Sequence, residues 1–191
     1  MAKTPSSMLP LGTQAPEFSL IDAVSGKLVS LNKHDQHIGT VIMFICNHCP
    51  YVKHVNPELI RIARDYTSKG IRFIAINAND IKNYPDDSPE NMRKTARDLD
   101  YPFPYLFDET QEVAIAYQAK CTPDFFVFNK DYALVYRGQL DSSRLGNHIK
   151  LSGNSIRAAL DCLLTGQPVS EEGQVQSLGC NIKWKPENAQ Q

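Results

Sequence analysis

The sequence lacks the features that would indicate a nucleic-acid-binding or membrane-embedded protein. Its 191 residues include 20 basic and 21 acidic side chains, a net charge of −1, with no long basic run. No segment approaches the roughly 20 consecutive apolar residues needed to span a bilayer, and residues 1–12 do not resemble a secretory signal. We therefore expect no nucleic-acid partner, no membrane partner and a cytoplasmic location.

Cysteine is scarce and odd in number, which argues against a disulfide scaffold. The five cysteines are irregularly spaced, and in a reducing compartment a close pair is more often catalytic or metal-binding than a permanent cross-link. The chain also has no internal repeat and no composition break. We predict one α/β domain, with an N-terminal extension at 1–35, a core at 36–165 and a C-terminal tail of little periodicity at 166–191.

The hydrophobic pattern predicts a central mixed β-sheet flanked by helices. Residues 17–31 indicate two strands around a Ser25-Gly26 turn, and the apolar, β-branched run 40–45 indicates a central strand buried on both faces. Helical spacing from Val52 to Tyr66 predicts the next helix, bent or restarted at Asn56-Pro57. The further predictions are a strand at 71–76, a helix from Ser88 to Leu99, a helix capped by Asp108 and ending at Tyr117, a hairpin of 125–128 with 134–136, and a helix at 155–164.

The motif Cys46-Asn47-His48-Cys49 lies where the predicted central strand turns into a helix. The free N–H groups and the dipole of that helix favour a thiolate at Cys46, near the cap position. Cys49 lies one turn further along and is placed to resolve a mixed disulfide formed at Cys46. The alternative is a pair of ordinary buried cysteines. The order of strand, motif and helix favours a redox-active pair.

Residues around the two cysteines are candidates for tuning the thiols or contacting the substrate. Asn47 and His48 lie within the motif, and an imidazole at His48 would stabilise the Cys46 thiolate and make the disulfide more oxidising. Lys53 and His54 could add positive potential from the following helix; the alternative is that both are surface residues.

Thr122-Pro123 precedes the predicted strand at 125–128. A cis proline would explain a proline beside a central sheet, and such a loop can face the dithiol and present backbone groups to an extended peptide. An ordinary trans turn is the alternative.

Taken together, these features resemble the thioredoxin fold, and more closely the bacterial thioredoxin family proteins called peroxiredoxin-like. The matching stretches cover nearly the whole chain: F-I-C-N-H-C-P-Y-V-K-H, A-I-N-A-N-D, Y-P-F-P-Y-L-F-D-E-T-Q, C-T-P-D-F-F-V-F and G-C-N-I-K-W-K. The resemblance implies a thioredoxin-like fold with an N-terminal β-hairpin extension and a C-terminal tail, a redox-active cysteine pair and a cis peptide at Pro123. It implies no particular substrate.

The same resemblance raises a peroxidase alternative. A peroxiredoxin has Thr or Ser three residues before its peroxidatic cysteine and a proline four residues earlier still. In that alignment Cys49 takes the peroxidatic position, Cys46 replaces the hydroxyl residue and Ile42 replaces the proline. Because the hydroxyl is missing and the sequence assigns no activating arginine, peroxide reduction through Cys49 is the second hypothesis.

The sequence also departs from thioredoxin itself. Thioredoxin has a tryptophan directly before its first cysteine and a buried aspartate six residues before it, where this chain has Ile45 and Thr40. Another base or water must then deprotonate the second cysteine. The histidine before the second cysteine is shared with protein disulfide isomerases and suggests a potential above thioredoxin's roughly −270 mV, toward about −200 mV.

Three further cysteines and one loop carry weaker hypotheses. Cys121 is a third redox thiol, a metal ligand or a buried small apolar side chain. Cys162 fits the apolar face of the last helix. Cys180, in the tail, could exchange with Cys49 or Cys46. Arg144 and Asp141, in the loop 137–147, would bind an anionic group or simply be solvated.

Three functions follow from these residues. The first is a thiol–disulfide oxidoreductase that uses Cys46 and Cys49, without a cofactor, on protein or small-molecule thiols and disulfides; it requires a recycling reductant. The second is an atypical peroxidase. The third is a non-enzymatic protein that holds copper or zinc with Cys46, Cys49 and a histidine. Substrate, reductant, direction of electron flow and oligomeric state are not predicted.

Overall fold

The computed structural model describes residues 3–32 and 37–189. The predicted boundary between extension and core, at residues 35 and 36, therefore lies outside the described residues. The strands are β1 (Lys3–Pro5), β2 (Phe18–Asp22), β3 (Leu28–Leu31), β4 (Gly39–Phe44), β5 (Ile71–Asn77), β6 (Tyr105–Phe107), β7 (Cys121–Thr122), β8 (Asp124–Asn129), β9 (Leu134–Gly138) and β10 (Leu178–Asn181). The α-helices are α1 (Pro50–Thr67), α2 (Pro89–Asp98), α3 (Glu112–Ala116) and α4 (Asn154–Leu164).

A mixed sheet of seven strands, in the order β3-β2-β6-β5-β4-β8-β9, forms the centre of the molecule. Strand β4 pairs in parallel with β5 and antiparallel with β8. Its side chains alternate between the two faces: Val41 and Met43 enter one apolar cluster, and Ile42 and Phe44 enter the other. Because both faces are covered, nearly every position of β4 is apolar, as the sequence predicts.

Helices cover both faces of this sheet. Residues of α1, α2 and α4 pack into the first cluster, whereas Ala114 of α3 packs into the second. Helix α1 continues through Pro57, so the predicted restart at this residue does not occur. Pro57 removes the hydrogen bond to the carbonyl of Lys53; because Lys53 is exposed, water can satisfy that carbonyl. Among the described residues, no helix combines the length and apolar character needed to cross a membrane.

The predicted N-cap is correct for α2 and wrong for α3. Ser88 caps α2 by accepting a hydrogen bond from the backbone N–H of Asn91 at 3.4 Å, as predicted. Asp108 was predicted to cap the next helix, yet the N-cap is Gln111, which has a left-handed φ of 66°. Asp108 still contributes, because its Oδ2 accepts from the backbone N–H of Ala114 at 2.8 Å.

The predicted aperiodic tail contains a strand that sequence analysis did not find. Strand β10 lies between β1 and β7 in a separate three-stranded sheet, with Cys180 opposite Lys3 on one side and Thr122 on the other. Four residues are too few to establish a periodicity. Gly179 permits the close approach, since a Cβ there would lie 2.0 Å from the carbonyl oxygen of Thr122. The tail therefore packs directly on the segment that precedes β8.

Replacing Gly179 with alanine is expected to destabilise the protein, because the added methyl group forces β10 away from Thr122. Overpacking of this kind costs roughly 1–3 kcal/mol, measured as the change in the free energy of unfolding in urea. Lys3→Ala, at an exposed position of the neighbouring strand β1, is the control and should change that free energy by less than about 0.5 kcal/mol. Equal unfolding midpoints for Gly179→Ala and wild type would contradict the packing described here.

Candidate active site

The two cysteines of the motif lie at the junction between the central sheet and α1. Cys46 follows β4, and Cys49 is the N-cap residue of α1. Both are free thiols and both are buried, with 2% and 0% of their surface exposed. The N-cap of α1 is thus Cys49, three residues later than Cys46, which the sequence predicts near the cap position.

The segment before β8 lies against both sulfurs, as the sequence predicts. Thr122 Oγ1 is 3.3 Å from Cys46 Sγ, and the carbonyl oxygen of Thr122 is 3.2 Å from Cys49 Sγ. The Thr122–Pro123 peptide bond is cis, which confirms the geometry implied by the resemblance. One residue therefore offers a hydroxyl group to the first thiol and an acceptor to the second.

The two thiols of the pair differ in pKa, and Cys49 has the lower one. The hydrogen bond from Cys46 lowers the pKa of Cys49 to about 5, against the opposing effect of burial, with further help from the Cys180 thiol and from the main-chain N–H groups of Val52 and Cys180. The same hydrogen bond, burial and the charge of Asp87 raise the pKa of Cys46 well above its ordinary value. This differs from the expectation of a Cys46 thiolate, because Cys49 rather than Cys46 occupies the helix N-terminus.

A buried acid, Asp87, is the functional group that sequence analysis missed. It lies in a short 3₁₀ turn (Pro85–Asp87) directly before the α2 cap, and it is fully buried. Its Oδ2 is 2.6 Å from His48 Nδ1, and its Oδ1 accepts from the backbone N–H of Asn47 at 2.7 Å. In the sequence, Asp87 looks like any polar residue preceding a helix, so no local signal distinguishes it.

The Asp87 contact determines how His48 faces the cysteines. The carboxylate fixes the ring orientation by accepting a hydrogen bond from Nδ1–H. Tyr84 stacks on the imidazole, with ring centroids 5.6 Å apart. The other nitrogen, His48 Nε2, is buried and has no hydrogen-bond partner among the described residues. His48 thus presents an imidazole that is paired with an acid beside Cys46.

One cluster bears on the metal hypothesis. Within residues 3–32 and 37–189, Cys46, His48 and Asp87 are the only group of three or more potential ligands whose donor atoms lie within 4.8 Å of one another. Cys49, which the copper or zinc hypothesis requires, is not in this group. The carboxylate oxygens of Asp87 already accept from Asn47, His48 and Asn79. These residues therefore fit a buried hydrogen-bond network better than a metal site.

The remaining cysteines lie at different distances from the pair. Cys180 Sγ is 3.0 Å from Cys49 Sγ. Cys121 is buried in β7 with its sulfur 3.7 Å from the carbonyl oxygen of Pro123, and burial together with the neighbouring Asp124 raises its pKa. Asp124 is itself fully buried, so burial raises its pKa well above the usual range. Cys162 lies half-buried on α4, outside this group.

The accessory residues lie beside a small cleft next to the cis proline. It is lined by Tyr51, His54, Pro123, Phe125, Asp141 and Arg144, among others. His54 Nε2 is 2.8 Å from Ser143 Oγ, and Arg144 donates to the carbonyl oxygen of Ser143 at 2.8 Å. Lys53, also on α1, is exposed. The Arg144 guanidinium group is thus engaged by its own loop, which it stabilises.

The fold, together with two cysteines that lie against the segment containing cis-Pro123, defines a thioredoxin-like protein. The thioredoxin domain of a thiol–disulfide oxidoreductase from Bacteroides vulgatus has the same fold, with a TM-score of 0.58 and 19% identity over 69% of this chain and 89% of that chain. Residues 11–137 match the AhpC/TSA family. The chain therefore belongs to the AhpC/TSA family.

Two solved structures resemble the whole chain. A protein from Geobacillus kaustophilus, described as an uncharacterized conserved protein, is 60% identical, with a TM-score of 0.95 over 97% of this chain and 98% of that chain. A protein from Sinorhizobium meliloti, described as hypothetical, is 41% identical, with a TM-score of 0.93 over 96% and 99%. No curated protein matches the sequence.

The charge on Cys49 predicts a thiolate at unusually low pH. In the reduced protein, the ultraviolet absorbance of a thiolate should appear as the pH rises through about 5, far below the ordinary thiol value of 9.0. Cys46→Ala removes the strongest donor to Cys49 and should raise this midpoint most; Cys180→Ala should raise it less. Cys162→Ala is the control and should leave it unchanged. Thiolate absorbance that appears only near 9 would contradict the assignment.

Proposed function

We propose that this protein is a thiol–disulfide oxidoreductase in which Cys46 and Cys49 cycle between a dithiol and a disulfide. The observation that carries the proposal is the pair of free, buried thiols at the N-terminus of α1, with Thr122 in contact with both sulfurs. The interaction with Cys46 also lowers the pKa of Cys49. A thiolate is the reactive form of cysteine, and a pair that shares one proton holds both the nucleophile and its base. Thioredoxin-like structural neighbours support the same redox chemistry.

In the first step, Cys46 attacks the substrate disulfide. Cys46 keeps 2% of its surface exposed and Cys49 none, and the Cys46 and Cys180 thiols and the Thr122 carbonyl lie around Cys49. As Cys46 forms a bond to one substrate sulfur, its proton passes to Cys49 and the other substrate sulfur leaves as a thiolate. The Thr122 carbonyl, 3.2 Å from Cys49 Sγ, accepts a hydrogen bond from the newly protonated thiol.

In the second step, Cys49 attacks Cys46 and releases the second substrate sulfur. The Cys46–Cys49 bond forms and the bond between Cys46 and the substrate breaks. The one proton that the pair held ends on one substrate sulfur, and the other substrate sulfur is released as a thiolate. The protein is oxidised by two electrons and the substrate disulfide is reduced; the reverse sequence oxidises a dithiol. Because the Cys49 thiolate stabilises the reduced protein, the couple should be more oxidising than one with ordinary thiols.

We further propose the class of substrate and the setting. The cleft beside Pro123 combines an apolar wall with the polar His54 and Ser143 pair, which suits an extended peptide or a small thiol compound. A separate reductant must return the disulfide to the dithiol. An active-site pair that is reduced in this way suits the cytoplasm.

Variants of single cysteines test the assignment. Cys46→Ser and Cys49→Ser should each lower turnover in an insulin-reduction or scrambled-disulfide assay by about a hundredfold or more, because each removes one half of the exchanging pair. Cys162→Ser is the matched control and should retain wild-type turnover. Cys49→Ala should also trap its substrate as a mixed disulfide on Cys46, which a pull-down followed by reduction identifies. Full activity in Cys46→Ser would overturn the proposal.

A second function, peroxide reduction, is favoured by the same low pKa at Cys49. A buried thiolate at a helix N-terminus can attack a peroxide, which leaves a sulfenic acid on Cys49 and releases an alcohol or water. Cys46 would then form the disulfide and release water. Against it, the partners of Cys49 Sγ among the described residues are thiols and main-chain groups rather than an arginine or a hydroxyl.

Peroxide consumption distinguishes the two chemistries. If Cys49 is peroxidatic, a first turnover of peroxide should survive in Cys46→Ser and be lost in Cys49→Ser. If thiol–disulfide exchange is the main activity, neither variant nor wild type should consume peroxide faster than Cys49→Ala. The measurement is the stoichiometric loss of peroxide by the reduced protein.

A further inference from the structure

Cys49 contacts two other cysteine thiols. It shares a hydrogen bond with Cys46 on one side, and its sulfur is 3.0 Å from that of Cys180 on the other. Cys49 is thus the sulfur that interacts with both of the other thiols.

The C-terminal strand is built to hold Cys180 in this position. Cys180 lies opposite Thr122 in the pairing of β10 with β7, and Thr122 is the residue that also contacts both motif cysteines. Gly179 lets the strand approach, since any side chain there would collide with the Thr122 carbonyl. Strand β1 closes the other edge of β10. The Cys180 sulfur is therefore held against Cys49 by main-chain pairing on both sides.

The protonation of Cys180 fits a partner of the Cys49 thiolate. Burial, and then its hydrogen bond with Cys49, raise the pKa of Cys180 to about 12, so this thiol stays protonated beside Cys49, with the two sulfurs 3.0 Å apart. When Cys46 is occupied in a mixed disulfide, its hydrogen bond to Cys49 is lost. Cys180 then remains as the thiol that supports the attacking sulfur. It is also the nearest thiol once Cys49 itself becomes part of a disulfide.

We propose that Cys180 is a third redox thiol, which takes over the disulfide from Cys46. This inference rests on the proposed exchange at Cys46 and Cys49. Cys180 Sγ attacks Cys49 Sγ of the Cys46–Cys49 disulfide; the Cys49–Cys180 bond forms, the Cys46–Cys49 bond breaks, and the proton of Cys180 ends on Cys46. No external oxidant or reductant is consumed, because one disulfide and one thiol are present before and after.

The transfer changes what the oxidised protein can do. It moves the disulfide from the motif to the C-terminal strand and regenerates a free thiol at Cys46, the position from which substrates are attacked in the proposed cycle. The oxidising equivalent is then stored between α1 and the C-terminal strand. A small sulfur movement suffices, since a disulfide bond of about 2.05 Å replaces a contact of 3.0 Å.

Disulfide mapping of the wild-type protein tests the proposal. The full-length protein is equilibrated in buffers with a range of reduced to oxidised glutathione ratios, quenched with acid and blocked with N-ethylmaleimide. Combined cleavage after lysine, arginine and glutamate places Cys46 and Cys49 together in peptide 34–53, and places Cys180 in peptide 173–183, separate from Cys162. Mass spectrometry of the unreduced peptides then reports each linkage, and fragmentation shows which cysteine carries the maleimide.

Two oxidised forms are expected. Peptide 34–53 should occur with an internal disulfide and also linked through Cys49 to peptide 173–183, with maleimide on Cys46. Their amounts should lie within about tenfold of each other, because Cys46 and Cys180 both lie next to Cys49 and either can close the disulfide with a small sulfur movement. Their ratio should not change with the glutathione ratio, since the transfer consumes no electrons. Cys180→Ser should retain only the internal disulfide, and Cys162→Ser should retain both.

The outcomes separate this inference from the proposed function. If the internal disulfide forms while Cys180 carries maleimide at every glutathione ratio, Cys180 is only a hydrogen-bond donor and this inference is wrong, although the exchange at Cys46 and Cys49 stands. A linked form whose share follows the glutathione ratio also contradicts it. If neither disulfide forms at any ratio, both proposals fail. The wild-type measurement holds even if Cys180→Ser folds poorly.

Discussion

The arrangement of the site depends on lowering the pKa of Cys49, whose sulfur is fully buried. Burial by itself raises a thiol pKa, so a thiolate at Cys49 requires donors that outweigh the lost hydration. The donors come from distant parts of the chain: the Cys46 thiol after β4, main-chain N–H groups at the start of α1, and the Cys180 residue of β10. The stabilising groups around Cys49 Sγ therefore come from three elements: the central sheet, the first helix and the C-terminal strand.

The need for hydrogen-bond donors at Cys49 explains two features of the C-terminal strand that core packing does not explain. The close contact of Gly179 with Thr122 brings β10 to the site at the cost of allowing no side chain there. The three-stranded sheet of β1, β10 and β7 holds the two chain ends against the segment before Pro123. Thr122 in turn contacts both motif cysteines. Strain or loosening at the tail should consequently alter the ionisation of Cys49 as well as stability.

Sequence-based prediction is accurate where an element is determined by residues close together in the chain. The apolar β4 run, the Ser88 cap and the hairpin of β8 and β9 are each determined by neighbouring residues, and the motif cysteines are recognisable from their spacing. It failed for the contact between Asp87 and His48, which lie 39 residues apart. For Cys180, 131 residues from Cys49, it raised an exchange with Cys49 or Cys46 but did not predict the strand that brings the two sulfurs together. Short strands such as β7 and β10 leave no periodicity, so pairing partners of this kind emerge only from the folded chain.

Asp87 contributes to the difference between the two motif thiols. The hydrogen bond with Cys49 and burial, followed by the charge of Asp87, raise the pKa of Cys46. Asp87 also pairs with His48, so the imidazole expected to stabilise a Cys46 thiolate has an acid beside it. The hydrogen bond with Cys49, burial and Asp87 therefore keep the Cys46 thiol protonated, while the N-terminus of α1 and the Cys46 and Cys180 thiols stabilise a thiolate at Cys49. A protonated thiol at Cys46 resists oxidation by peroxide better than a thiolate would. In the proposed exchange, Cys46 becomes nucleophilic only as its proton passes to Cys49, which couples its reactivity to the arrival of a disulfide.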